Sequence, residues 1–126
     1  MNSERRKYPR VEIGGEVNIQ IAGVIRNGSL INVSPAGIQI ECRHQLIEQL
    51  AKFKSEAGLY PDFELEFAVP NSKKRDKNGK PIKSTCNVSN CRRLSQDIYH
   101  LGLNFVSLSE KDEQKVSDYI DHVAVA

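Results

Sequence analysis

Two short runs carry side chains that could do chemistry, and both suit binding better than bond-making. The first is Glu4-Arg5-Arg6-Lys7-Tyr8-Pro9-Arg10, which packs three guanidinium groups into six positions. A guanidinium pairs with phosphate or carboxylate oxygens in a planar fork and stacks on aromatic bases. The second is Asn32-Val33-Ser34-Pro35-Ala36-Gly37, a stretch with turn chemistry. Its asparagine both donates and accepts, its hydroxyl can meet a phosphate or a base, and its glycine allows close approach of backbone to ligand. Three arginines alone would read as a solvated tail, and Asn-x-Ser-x-x-Gly alone as a turn. Asn32-Val33-Ser34 is also a formal glycosylation sequon, which carries no weight without a secretory signal.

The rest of the chain has to position these runs. Its 126 residues suit one domain, with 39% hydrophobic and 27% charged residues. A formal net charge of +2 argues against a coat for DNA or for an anionic membrane. No segment offers the ~20 apolar residues of a membrane span, and the polar start lacks a signal peptide, which points to the cytoplasm. Cys42, Cys86 and Cys91 are odd in number and wrongly spaced for a zinc knuckle or redox pair, so they read as free, mostly buried thiols. His44, His100 and His122 do not cluster with them, and no nucleophile–base pair or paired carboxylates sit at a telling spacing. The chain therefore reads as a binding module with no enzyme chemistry, no metal and no cofactor.

Hydrophobic periodicity gives the elements. Val17, Ile19 and Ile21 alternate with polar neighbours as a half-buried strand does. Leu30, Ile31 and Val33 belong to a second strand, and the turn between the two lies at Gly23 or at Asn27-Gly28. Ile38, Ile40 and Cys42 make a third strand. Between residues 44 and 57 the period changes: Leu46, Leu50, Phe53 and Ala57 share one helical face, and Gly58 stands where a helix ends. Phe63, Leu65 and Phe67 resume strand spacing; residues 71–81 form a solvated loop; 82–94 and Tyr99, Leu101, Leu103 and Phe105 supply two more strands. Ser109 caps a final helix, with Asp112 placed as in a capping box and Val116, Ile120 and Val123 on one face. The expected fold is mainly β: a six-stranded antiparallel barrel, a C-terminal helix and an inserted helix at about 44–57. A flexible arm, 1–12, precedes a single barrel domain, 13–126.

Arg6 and Arg10 form Arg-x-x-x-Arg, and Asn32, Ser34 and Gly37 form Asn-x-Ser-x-x-Gly. In this order and on this strand pattern they resemble the two signatures of the PilZ family. Tyr99-His100-Leu101-Gly102-Leu103-Asn104-Phe105-Val106, followed by Leu108-Ser109 and a helix, resembles that family's last strand and cap. The resemblance covers nearly the whole chain and implies a receptor for cyclic di-GMP that changes conformation on binding and relays the signal to a protein partner. It implies Arg5, Arg6, Arg10, Asn32, Ser34 and Gly37 as ligand-binding residues, with Arg5 tied to gripping a stacked pair of ligand molecules. The ligand's chemistry agrees: arginine is the usual reader of guanine O6 and N7, and an asparagine amide matches guanine's own amide-like edge. Pro9 stiffens the arm just before Arg10 and lowers its ordering cost. Arg92 and Arg93 join the set if their strand borders the site.

Three readings compete with this one. An adaptor would act by protein–protein contacts without ligand. A nucleic-acid-binding barrel would need surface aromatics beside a basic groove, and the run Lys73–Lys80 reads better as a hairpin tip. An enzyme finds the least support. The 44–57 helix replaces what is usually a short connection in the family and adds a surface for homodimerisation or partner docking.

Overall fold

The computed structural model of the chain describes residues 11–12, 15–68 and 81–125. Its elements run β1 (Val11–Glu12), β2 (Glu16–Ile21), β3 (Val24–Ser34), β4 (Gly37–Arg43), α1 (His44–Lys52), β5 (Phe63–Phe67), β6 (Ile82–Arg93), β7 (Ile98–Leu108) and α2 (Glu110–Val125). Six strands pair in the order β3-β2-β5-β6-β7-β4, and β4 returns to pair with β3. Every pairing is antiparallel, so the sheet closes into a barrel and leaves no long edge unpaired. The two-residue β1 lies along β3 beyond the end of β2.

Alternation decides what enters the barrel. On β2 Val17, Ile19 and Ile21 are buried while Glu16, Asn18 and Gln20 are exposed. Ile38, Ile40 and Cys42 of β4, Phe63, Leu65 and Phe67 of β5, and Tyr99, Leu101 and Leu103 of β7 complete the wall of the core. α2 closes one side by burying Val116 and Ile120, as its sequence period predicts. The side chain of Val123 lies outside the described residues. The Ser109 hydroxyl accepts from the Asp112 amide at 3.1 Å, the expected N-cap.

The first hairpin turns at Ala22-Gly23, with φ of +50° and +83°. Two consecutive residues in the left-handed region make the turn whose twist matches its strands. Asn27-Gly28, the alternative in the sequence, stands inside β3 opposite Asn18 and Val17.

The inserted helix is present, but it ends at Lys52 rather than near 57. Leu46 and Leu50 are buried as expected, whereas Phe53 and Ala57 are exposed. Ser55 explains the early stop. Its backbone pairs with Leu59 and its carbonyl accepts from Gly58, while its hydroxyl accepts from the Leu59 amide at 3.2 Å. A serine that satisfies its neighbours' backbone competes with helix, and Gly58, at φ +81°, serves this following turn. At the other end Asp97, from the β6–β7 connection, accepts from the His44 amide at 3.0 Å and from the Arg43 guanidinium at 2.7 Å. Those two donors, Arg43 first, hold its carboxyl below the ordinary aspartate range. Buried Gln49 ties α1 to the barrel, accepting from Arg26 at 2.9 Å and donating to the Ile21 carbonyl at 3.3 Å.

Leu101 is fully buried and Ile25 is 65% exposed. Leu101→Ala is expected to cost about 2–5 kcal/mol in urea unfolding, and Ile25→Ala less than about 0.5 kcal/mol.

Candidate functional site

Cross-strand register assembles the site. Asn32 of β3 pairs with Gln39 of β4, Gln39 with Gly102 of β7, and Gly102 with Asn90 of β6. Four strands thus contribute one row. Its neighbours Val33, Ile38 and Leu103 point into the core, so the row lies on the outer wall. A second row, Ser34–Gly37–Asn104–Asn87, runs beside it roughly 6.5–7 Å further along the strands. Together they form a polar floor dominated by carboxamides, with a glycine in each row.

The side chains hold one another in place. The Asn32 Nδ2 donates to Gln39 Oε1 at 2.8 Å. The Gly102 amide donates to Asn90 Oδ1 at 3.2 Å, across a β-bulge between Val88 and Asn90. Such a bulge re-aims a side chain and sits often beside functional sites. Ser34 accepts from the Ala36 amide at 3.3 Å and donates to the Gly37 carbonyl at 3.4 Å, fixing the Pro35-Ala36 turn. A depression of about 130 Å³ lies here, lined by residues that include Asn32, Ser34, Gly37, Gln39, Asn90 and Asn104.

Gly37 owes its identity to packing rather than to an unusual backbone angle. It lies buried where β4 meets β7, and a Cβ built on it would run into the Leu103 carbonyl. Gly102 is different: the nearest atoms a Cβ there would meet belong to the Asn90 carboxamide, at 2.8–3.0 Å.

Among the residues singled out in the sequence, Asn32, Ser34 and Gly37 come together on this floor. Arg5, Arg6 and Arg10 lie outside the described residues, as does the run Lys73–Lys80. What is described is where the arm joins the barrel: Val11 pairs with Val33 and Glu12 with Asn32. β1 therefore enters along the strand that carries the floor. Arg93 is tied into its own turn by bonds to the Ser95 and Gln96 carbonyls, both 3.0 Å, and its guanidinium lies over the Tyr99 ring. Arg92 instead extends the outer wall one row beyond Asn90, beside His100. His100 bonds Glu41 at 3.1 Å, a cross-strand pair on the surface.

Sequence reading gave no site role to Gln39, Asn90, Gly102 or Asn104. Gln39 was recoverable, since Ile38 and Ile40 inward put it outward. Asn90 was not, because the bulge that aims it has no sequence signal. A larger depression, about 350 Å³, sits on the β2–β5–β6 side, lined in part by Asn18, Gln20, Glu64 and Glu66. Its two carboxylates against one lysine, Lys83, make it unsuited to a phosphate. Cys42 and Cys86 are buried and Cys91 is exposed; all three are free. Burial pushes the Cys42 thiol up to about 12 and the Cys86 thiol up to about 11, so both stay protonated near neutrality. Among the described residues no three potential metal ligands cluster, and no helix is long and apolar enough to cross a membrane.

A closed six-stranded barrel with a C-terminal helix and an Asn-x-Ser-x-x-Gly turn on its outer wall is the arrangement of a PilZ domain. The sequence profile of that family matches residues 4–122, and the chain belongs to it. No curated protein sequence matches the chain at a significant level. Solved structures with the same fold include the inhibitor of motility MotI (DgrA) of Bacillus subtilis, with a TM-score of 0.68 and 18% identity over 96% of this chain and 52% of that one. The K. pneumonia MrkH–c-di-GMP complex gives 0.66 and 15%, over 96% and 53%. The PilZ domain of Escherichia coli YcgR with c-di-GMP gives 0.59 and 12%, over 96% and 92%. The chain thus spans about half the length of MotI and MrkH and nearly all of the YcgR domain.

Gly37→Ala is expected to destabilise the barrel by about 1–3 kcal/mol in urea unfolding, the usual cost of overpacking. Gly102→Ala, which has only to displace a carboxamide, costs less in the same measurement.

Proposed function

We propose that the chain is a non-catalytic cyclic di-GMP receptor that binds its ligand between the floor described above and the arginine arm. The pairing of Val11 with Val33 supports this most directly. Arg10 directly precedes Val11 in the sequence, and Val11 pairs with Val33, which stands between Asn32 and Ser34. Two phosphates and two guanines call for guanidinium forks together with groups that both donate and accept, which the two motifs supply. In this reading Arg6 and Arg10 grip phosphate and guanine, Arg5 engages the second molecule of a stacked pair, and Asn32 and Ser34 meet base and phosphate. Gly37 holds the floor together and leaves room for the ligand. That the related MrkH and YcgR domains were solved with c-di-GMP agrees with it.

A conformational change on ligand binding is the signal we propose, read by a protein partner that meets the altered surface. A ligand shifts such an equilibrium only by its differential affinity for the two states. α1 adds a surface where that partner or a second copy of the chain docks.

Calorimetric titration with cyclic di-GMP tests the reading. The parent is expected to bind at micromolar strength or tighter, about −8 kcal/mol. Each charged hydrogen bond is worth about 1.5–3 kcal/mol, so the Arg6→Ala/Arg10→Ala protein should lose about a hundredfold or more. No heat from the parent at millimolar ligand would refute the receptor and leave an adaptor that works by protein contacts alone.

A further inference from the structure

The β6 edge of the floor carries two side chains that neither family motif contains. Asn90 sits at the bulge, and the Gly102 amide donates to its Oδ1 at 3.2 Å. A backbone N–H can only donate, so this bond fixes which way the carboxamide points. Its oxygen is engaged and its two Nδ2 protons remain for a ligand. Arg92 follows two residues later on the same strand, paired with His100 on the next row of the outer wall. Arg93 is bound into its turn, but Arg92 is exposed and makes no hydrogen bond or ion pair among the described residues. At Asn90 and Arg92 β6 therefore directs donors outward, an amide and a guanidinium in sequence along one face, while Asn87, in the second row of the floor, can both donate and accept.

Two neighbouring donors favour a ligand edge made of acceptors. Guanine offers two, O6 and N7, side by side on its Hoogsteen edge; adenine offers N7 beside an amino group, which is itself a donor. Resting on the receptor reading above, we propose that Asn90 and Arg92 read the Hoogsteen edge of a bound guanine and make the site discriminate guanine from adenine. The floor then works in two parts. Asn32 and Gln39 face the ligand from β3 and β4, while β6 adds base selectivity to that of the motifs.

The test is calorimetric titration of the full chain with cyclic di-GMP and with cyclic di-AMP. Asn90→Asp is the informative variant: Asp keeps the acceptor for the Gly102 amide but replaces the outward donor with an acceptor. It is expected to weaken cyclic di-GMP about tenfold while leaving cyclic di-AMP unchanged or improved, so that the ratio between the two narrows. Arg92→Ala, at an exposed position, should narrow it in the same direction with an unchanged unfolding midpoint. Variants that match the parent on both nucleotides overturn the inference, as does an equal loss on both, which would mean a phosphate contact. In either case the receptor reading survives, whereas a parent that binds neither nucleotide removes both.

Discussion

The eleven residues of β3 hydrogen-bond to three different strands, and the rest of the molecule depends on that sharing. On one side β3 pairs with β2 over Val24 to Ser29 and then with β1 over Asn32 and Val33. On the other it pairs with β4 from Ser29 to Ser34, which closes the barrel. A register shift between Leu30 and Asn32 lets one strand serve both ends. It keeps Leu30 and Val33 buried although they stand three residues apart, and it turns Asn32 outward. Barrel closure, the entry of the arm and the aim of Asn32 are thus consequences of a single irregular strand.

Around that strand the division between wall and floor follows from burial. The inward positions are occupied by aliphatic and aromatic side chains whose removal from water drives the fold. In the two rows of the floor the outward positions are amides and small residues, and the Asn32–Gln39 and Gly102–Asn90 bonds fix part of their pattern of donors and acceptors. Where the backbones of β4 and β7 approach most closely only glycine fits, which makes Gly37 a residue of the scaffold as much as of the site. The two rows hold no charged side chain, whereas Glu64 and Glu66 line the β2–β5–β6 depression. On the proposed reading the floor's affinity for a phosphate comes from the arm.

Much of this was legible in the sequence, for identifiable reasons. Period-two alternation in β2, β4, β5 and β7 gave the barrel and its core, because a half-buried strand leaves no other pattern. The Ser109 cap and the Val116–Ile120 face gave α2. The length of α1 was misjudged because Phe53 and Ala57 continue its period; Ser55 and Gly58 break it through local hydrogen bonds that a count of apolar positions ignores. The hairpin at Ala22-Gly23 was one of two candidates, and Asn27-Gly28, the other, lies within β3, where both residues pair with β2. At the site, Asn32, Ser34 and Gly37 announced themselves as a motif. Asn90 and Gly102 meet only through the register of β6 with β7, a property of the assembled sheet.

On the proposed reading the outer wall of β3, β4, β7 and β6 is the ligand face. Amide chemical-shift mapping on the labelled protein, titrated with cyclic di-GMP, shows whether it is. Shifts are expected to concentrate at Asn32, Gln39, Asn90, Gly102 and Asn104, with Asn18, Glu64 and Thr85 unmoved. Shifts centred on the β2–β5–β6 depression, with the amide rows silent, would contradict it.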